Sequence, residues 1–124
     1  MYSIYMVTKN IAILAFVELN KFKTGNRIID FKVKDDKLIS HYYNLNEKGE
    51  IVNKSQETSL YKIDGNVIKL MQVNGNGSII STIRREGNDL IQTTMLGDLY
   101  LFRYPNSLPP EAPKEEPQET SDPE

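Results

Sequence analysis

The stretch from Leu60 to Tyr104 constrains the fold more than any other part of the chain. Short apolar runs recur along it: Leu60 to Ile63, Val67 to Val73, Ile79 to Arg85, Leu90 to Met95 and Leu99 to Tyr104. Between them stand Asp64-Gly65-Asn66, Asn74-Gly75-Asn76-Gly77, Glu86-Gly87-Asn88-Asp89 and Gly97-Asp98. Tight hairpins need residues that accept a positive φ, which Gly adopts freely and Asn or Asp tolerates. The spacing therefore predicts an antiparallel β-meander in which each strand pairs with its sequence neighbour.

The pattern extends upstream. Ile29, Phe31 and Val33 alternate with Asp30, Lys32 and Lys34, so one face of that strand is buried and the other wet. Asp35-Asp36 marks a turn, Leu38 to Leu45 a strand with Tyr42 and Tyr43 on opposite faces, and Asn46-Glu47-Lys48-Gly49 the next turn. Glu50 to Lys54 reads as a short polar strand near an edge or rim, and Glu57 to Ile63 as the strand after it. The fold class is all-β, an antiparallel up-and-down meander of about eight to nine strands. An open meander leaves two unpaired edges, and closure into a barrel removes them. A barrel of that size has an interior that side chains fill, or that holds one small ligand.

The two ends of the chain read differently. Residues 1–24 admit two patterns: Ile4, Val7, Ile11, Leu14 and Leu19 fit one face of a short helix, while Ile11 to Val17 fits a buried strand. All six prolines lie at or after Pro105. The Pro-, Glu- and Ser-containing stretch 107–124 buries too little apolar surface to offset ordering and is expected to be a disordered acidic tail behind a barrel domain of residues 1–106. Pro110 and Pro113 carry the spacing of a polyproline II recognition segment.

At 124 residues the chain suits one domain with a modest core. Its formal charge of −2 is unevenly spread, because 107–124 hold Lys114 against Glu111, Glu115, Glu116, Glu119, Asp122 and Glu124. The body ahead of them has only a small positive excess, which argues against nucleic acid as a partner. There is no cysteine, so disulfides, thiolate metal sites and Cys nucleophiles are excluded. The apolar run Ile11 to Val17 is far short of the roughly 20 residues of a membrane span. Glu18, Asn20 and Lys21 follow it without a small-residue cleavage site, so a cytoplasmic location is expected over a secreted one.

No catalytic constellation, metal cluster or cofactor motif is present in the sequence. His41 stands alone and reads as a rim or surface residue, and Asn74 to Gly77 lacks the Lys-Ser/Thr ending of a phosphate loop. The late strands have mixed faces: Ile79/Ser81/Ile83/Arg85 against Ile80/Thr82/Arg84, and Leu90/Gln92/Thr94 against Ile91/Thr93/Met95. Such Ser, Thr and Gln positions suit either a partly wet lumen or a solvent face. One of Arg84 and Arg85 must point inward if pairing is regular, where a guanidinium needs a carboxylate from the protein or from a ligand; a bulge at Glu86-Gly87 would instead let both reach solvent. Arg84, Arg103, Thr82, Thr93 and Tyr42 are the candidate ligand-binding residues.

Read in order, Asp-Gly-Asn, Val-Ile-Lys-Leu-Met-Gln, Asn-Gly-Asn-Gly, Ile-Ser-Thr-Ile-Arg-Arg-Glu, Leu-Ile-Gln-Thr-Thr, Leu-Gly-Asp and the closing Arg103-Tyr104 resemble the last third of the fatty-acid-binding proteins. More loosely they resemble the wider calycin group with its lipocalin-like domains. The resemblance implies a closed barrel that binds a small hydrophobic or amphipathic molecule. That family spaces its closing Arg and Tyr two positions apart, whereas Arg103 and Tyr104 are adjacent and should point opposite ways. The expected function is a non-enzymatic carrier or sensor of such a ligand. The alternative is a small inhibitor or immunity protein, bacterial or phage, that engages a single protein partner through its sheet surface or edge.

Overall fold

The structure, a computed structural model, describes residues 12–75 and 77–113. A short helix, α1 (residues 12–19), leads into β1 (Lys21–Thr24). There follow β2 (Arg27–Lys34), β3 (Lys37–Leu45), β4 (Ile51–Asp64), β5 (Val67–Gln72), β6 (Ile79–Glu86), β7 (Asp89–Thr94) and β8 (Gly97–Tyr104). Every strand pairs antiparallel with its neighbours in sequence, and β8 returns to β1, so the eight strands form a closed barrel.

Turn chemistry sets these boundaries. Asp35 holds a φ of 58° between β2 and β3, a conformation that Asp accepts at small cost. Between β3 and β4, the Asn46 side-chain oxygen accepts from the Lys48 and Glu50 backbone N–H groups, both at 2.9 Å. The two strands expected at Glu50 to Lys54 and Glu57 to Ile63 are one continuous strand. Ser55 and Gln56 hold no Gly or Pro that would enforce a reversal, and they pair on with Tyr42 and His41 of β3.

The open question at the N-terminus resolves as the helix: residues 12–17, the described part of the alternative buried strand, are helical, and the first strand, β1, begins only at Lys21. The buried face of α1 is Ile13 and Val17, four residues apart, with Leu14 and Phe16 partly buried beside them. Leu19, expected on that face, is exposed, and the expected positions Ile4, Val7 and Ile11 lie outside the described residues. The helix closes one end of the barrel. Its Glu18 carboxylate accepts from Val33 N–H at 3.1 Å, and Lys32 Nζ donates to the Glu18 carbonyl at 3.3 Å. The core beneath it consists of Phe22, Ile29, Phe31, Leu38, Ile68, Leu70, Ile83, Leu90 and Leu101.

A second, smaller apolar cluster lies on the outer wall, where Ile28, Leu45 and Ile51 are buried with Tyr43 and Tyr104 packed against them. The chain after β8 reaches the same place. The Pro110 carbonyl accepts from Ile51 N–H at 3.0 Å, Ala112 N–H donates to the Ile51 carbonyl at 2.8 Å, and Glu111 pairs with Lys54. Of the expected tail 107–124, residues 110–112 thus lie beside the start of β4, and 114–124 lie outside the described residues.

Phe22 is the only residue of β1 that is fully buried, and its ring meets Phe16 of α1 at 5.8 Å and Phe31 of β2 at 6.3 Å. Phe22→Ala is expected to lower unfolding stability by about 3–5 kcal/mol. Phe102→Ala, at an outward ring that is 56% exposed, should cost far less, about 0.5 kcal/mol. Urea unfolding of both variants is the check, and equal losses would contradict the assignment of the two faces.

Candidate functional site

The interior has two halves of opposite character. Toward α1 it is apolar and filled. Toward the other end, strands β3 to β7 place Ser40, Tyr42, Glu57, Ser59, Leu70, Ile80, Ser81, Gln92 and Thr94 around a cavity of ≈ 190 Å³. Alternation puts them there: Ser40 is two residues from Leu38, Ser81 two from Ile83, and Gln92 two from Leu90, each of those neighbours being fully buried. Ser40, Ser59 and Ser81 are buried, three small hydroxyl groups next to a fully buried core of Ile, Leu, Phe and Val side chains.

Hydrogen bonds tie this wall together. Tyr42 OH donates to Glu57 Oε1 at 2.9 Å, and Gln92 Nε2 donates to Ser81 Oγ at 3.2 Å. Thr94 is spent locally, since its hydroxyl donates to the Gly97 carbonyl at 3.2 Å and accepts from Leu96 N–H at 3.1 Å. Arg27 lies 4.7 Å from the centroid of the Tyr42 ring, with its Nε donating to Asn44 Oδ1 at 3.0 Å. The Tyr42 phenol is pushed above its ordinary pKa of 10.0, chiefly by burial, then by the hydrogen bond to Glu57 and the repulsion from that carboxylate. Ser40, close to the phenol, and Arg27 pull the other way.

The hairpin tips beside this end are apolar and uncovered. Met95 and Leu96, in the turn after Thr94, are 95% and 99% exposed, and Val73, Ile79 and Leu99 are exposed near them.

No protein-family model, curated protein or solved structure matches the chain. The arrangement of its own residues is therefore what any functional reading must use.

Of the residues expected to touch a ligand, Tyr42 lines the cavity. Thr82, Arg84 and Thr93 do not, because the alternation that turns Ser81, Ile83 and Gln92 inward turns these three outward. They sit together on the outer wall, where Arg84 Nη1 donates to Thr93 Oγ1 at 3.3 Å and Thr93 Oγ1 donates to Asp98 Oδ1 at 2.7 Å. Arg103 is exposed at the α1 end of β8, its backbone N–H bonded to Asp89 Oδ1 at 2.8 Å. It shares the strand face of Leu101, while Tyr104 packs on the outer cluster, so the adjacent pair does point opposite ways. The inward-facing arginine of β6 is Arg85. It needs no carboxylate, because it lies at the barrel's end with its guanidinium 3.7 Å from the Phe16 ring centroid and its Nε on the Gly87 carbonyl. His41 stands on the outer face of β3, opposite Asp30 of β2.

Sequence reasoning passed over Glu57, Ser40, Ser59 and Arg27. The available signal was parity with Leu38 and Ile29, and it was obscured for β4 by the break expected near Ser55. Among the described residues there is no group of three or more His, Asp or Glu side chains able to hold a metal ion.

Because the folded pKa of Tyr42 lies above its unfolded value, the stability gained from keeping the phenol neutral is complete below about pH 10. It is lost as pH rises through the folded pKa. Spectrophotometric titration is expected to show a phenol ionising above 10.0 that disappears in Tyr42→Phe and moves down in Glu57→Gln. A Tyr42→Phe curve that merely scales with the number of tyrosines would exclude the shift.

Proposed function

We propose that the protein is a non-enzymatic binding module, a lipocalin-like carrier or sensor that takes a small amphipathic molecule by its polar head. The observation that carries this reading is the cluster of three buried hydroxyl groups, Ser40, Ser59 and Ser81, with the half-buried Gln92 amide beside them, around a ≈ 190 Å³ cavity. A core selected for stability alone gains nothing from three serines at inward positions, where isosteric apolar packing would be drier and tighter. A ligand that exchanges hydrogen bonds with them gives those positions a use. The apolar rim of Ile79, Met95, Leu96 and Leu99 then supplies a surface for the apolar part of the same molecule.

The cavity is smaller than the roughly 300–1,000 Å³ of most small-molecule sites. The reading therefore favours a compact head group over a buried fatty-acyl chain. It also replaces the anion expected from Arg84 and Arg103, since both lie away from the cavity.

A second reading, one protein partner held on the outer sheet, is favoured by β8. Tyr100 and Phe102 stack there with centroids 5.5 Å apart and are 46% and 56% exposed. Tyr100→Ala combined with Phe102→Ala would abolish that docking and leave the cavity as it is.

Titration of the full chain with hexyl probes bearing hydroxyl, ammonium or carboxylate heads, followed by backbone amide NMR, tests the first reading. At least one probe is expected to shift the amides of Ser40, Ser59, Ser81 and Gln92, and Ser81→Leu, which fills the space, should remove those shifts. If every probe leaves those amides unmoved, the cavity is not a ligand site.

A further inference from the structure

Resting on the reading of the cavity as a ligand site, we infer that it selects an organic ammonium head over an alcohol or a carboxylate. Its polar wall offers hydrogen bonds of both kinds. The Tyr42 hydroxyl donates to Glu57, one Gln92 amide N–H to Ser81 and the Thr94 hydroxyl to the Gly97 carbonyl, while Ser40 bonds to the Tyr42 phenol. The second Gln92 N–H, the Gln92 side-chain carbonyl and the hydroxyls of Ser59 and Ser81 remain, which are donors as well as acceptors. These neutral groups alone do not choose between heads.

Charge makes the distinction. Glu57 is the only charged side chain lining the cavity, and it enters no ion pair among the described residues. It is exposed, so its carboxylate is hydrated before a ligand arrives and carries little burial penalty. Arg27 is the cation close to Tyr42, but it does not line the cavity, and its Nε is held by Asn44. Its guanidinium on the Tyr42 ring keeps that ring in place beside Glu57.

The test compares hexylammonium, 1-hexanol and hexanoate at pH 7 and fixed ionic strength, read at the Ser59 and Ser81 amides so that binding to the acidic residues after Tyr104 is not scored. Hexylammonium is expected to bind about tenfold more tightly than 1-hexanol, with hexanoate weakest, as a charge-assisted hydrogen bond implies. Glu57→Gln should cut that preference to about threefold or less, because a charge-assisted hydrogen bond becomes a neutral one. Circular dichroism on the variant confirms the barrel. Equal binding of hexylammonium and 1-hexanol, or tighter binding of hexanoate, overturns the ammonium selection and leaves the cavity a ligand site. Absence of any shift at those amides overturns both.

Discussion

The barrel depends on the pairing of β8 with β1, the shortest strand in the sheet. Lys21, Phe22 and Lys23 face Tyr104, Arg103 and Phe102 across that seam, and no other pair of strands closes the ring. Three residue pairs are a small contact for closing a sheet whose other ladders are longer. Phe22 supplies what the ladder lacks, because its buried ring joins the helix, through Phe16, to β2, through Phe31. The helix is thus part of the closure: α1 packs on Phe22 from one side while Glu18 takes the Val33 N–H on the other. An open meander would expose the edges of β1 and β8, and this seam removes both.

Much of the architecture is legible in the residues that make turns. Gly65, Gly87 and Gly97 all hold a positive φ where the strands were expected to reverse, and the strand order follows from the short connections. The join of two expected strands into β4 was not legible, since polar residues such as Asn53 to Gln56 occur in turns and on exposed strands alike. Their partner strand β3 decides between the two, and that is a tertiary fact. The orientation of β6 and β7 failed for a related reason. Both faces of β7 hold a buried apolar side chain, Leu90 within and Ile91 without, so alternation alone had no way to assign an inside. Tyr42 faces Ile29 across the β2–β3 hairpin, and the alternation of Ile29, Phe31 and Val33 marks that face as the inner one. Glu57, its hydrogen-bond partner from the next strand, was not legible in this way.

Arg84 and Arg85 show how a local rule can hold while its consequence changes. Adjacent strand residues do point to opposite faces here, and one arginine does take the inward direction. The cost of an unpaired guanidinium never arises, because β6 has by then run to the end of the barrel and the helix presents an aromatic face. A cation over an aromatic ring, with its Nε on a turn carbonyl, satisfies Arg85 without an acid. A carboxylate, from the protein or from a ligand, would be required of an arginine surrounded by barrel on all sides, and at the end of β6 both Arg84 and Arg85 are exposed.

The same helix limits what the interior can hold. Ile13 and Val17 project into the barrel and fill the half that Leu38, Ile68, Ile83, Leu90 and Leu101 line, leaving the ≈ 190 Å³ beyond Leu70. A close-packed interior does not yield space on demand, so a longer apolar chain could enter only if α1 left. Leaving would break the Phe16–Phe22 contact and the Glu18–Val33 hydrogen bond, both of which support the seam between β1 and β8. Closure of the ring and capacity of the lumen are therefore coupled. The chain keeps its barrel shut by giving up half of its interior, and what remains is polar because its walls are the Ser, Gln and Tyr positions that the helix does not reach.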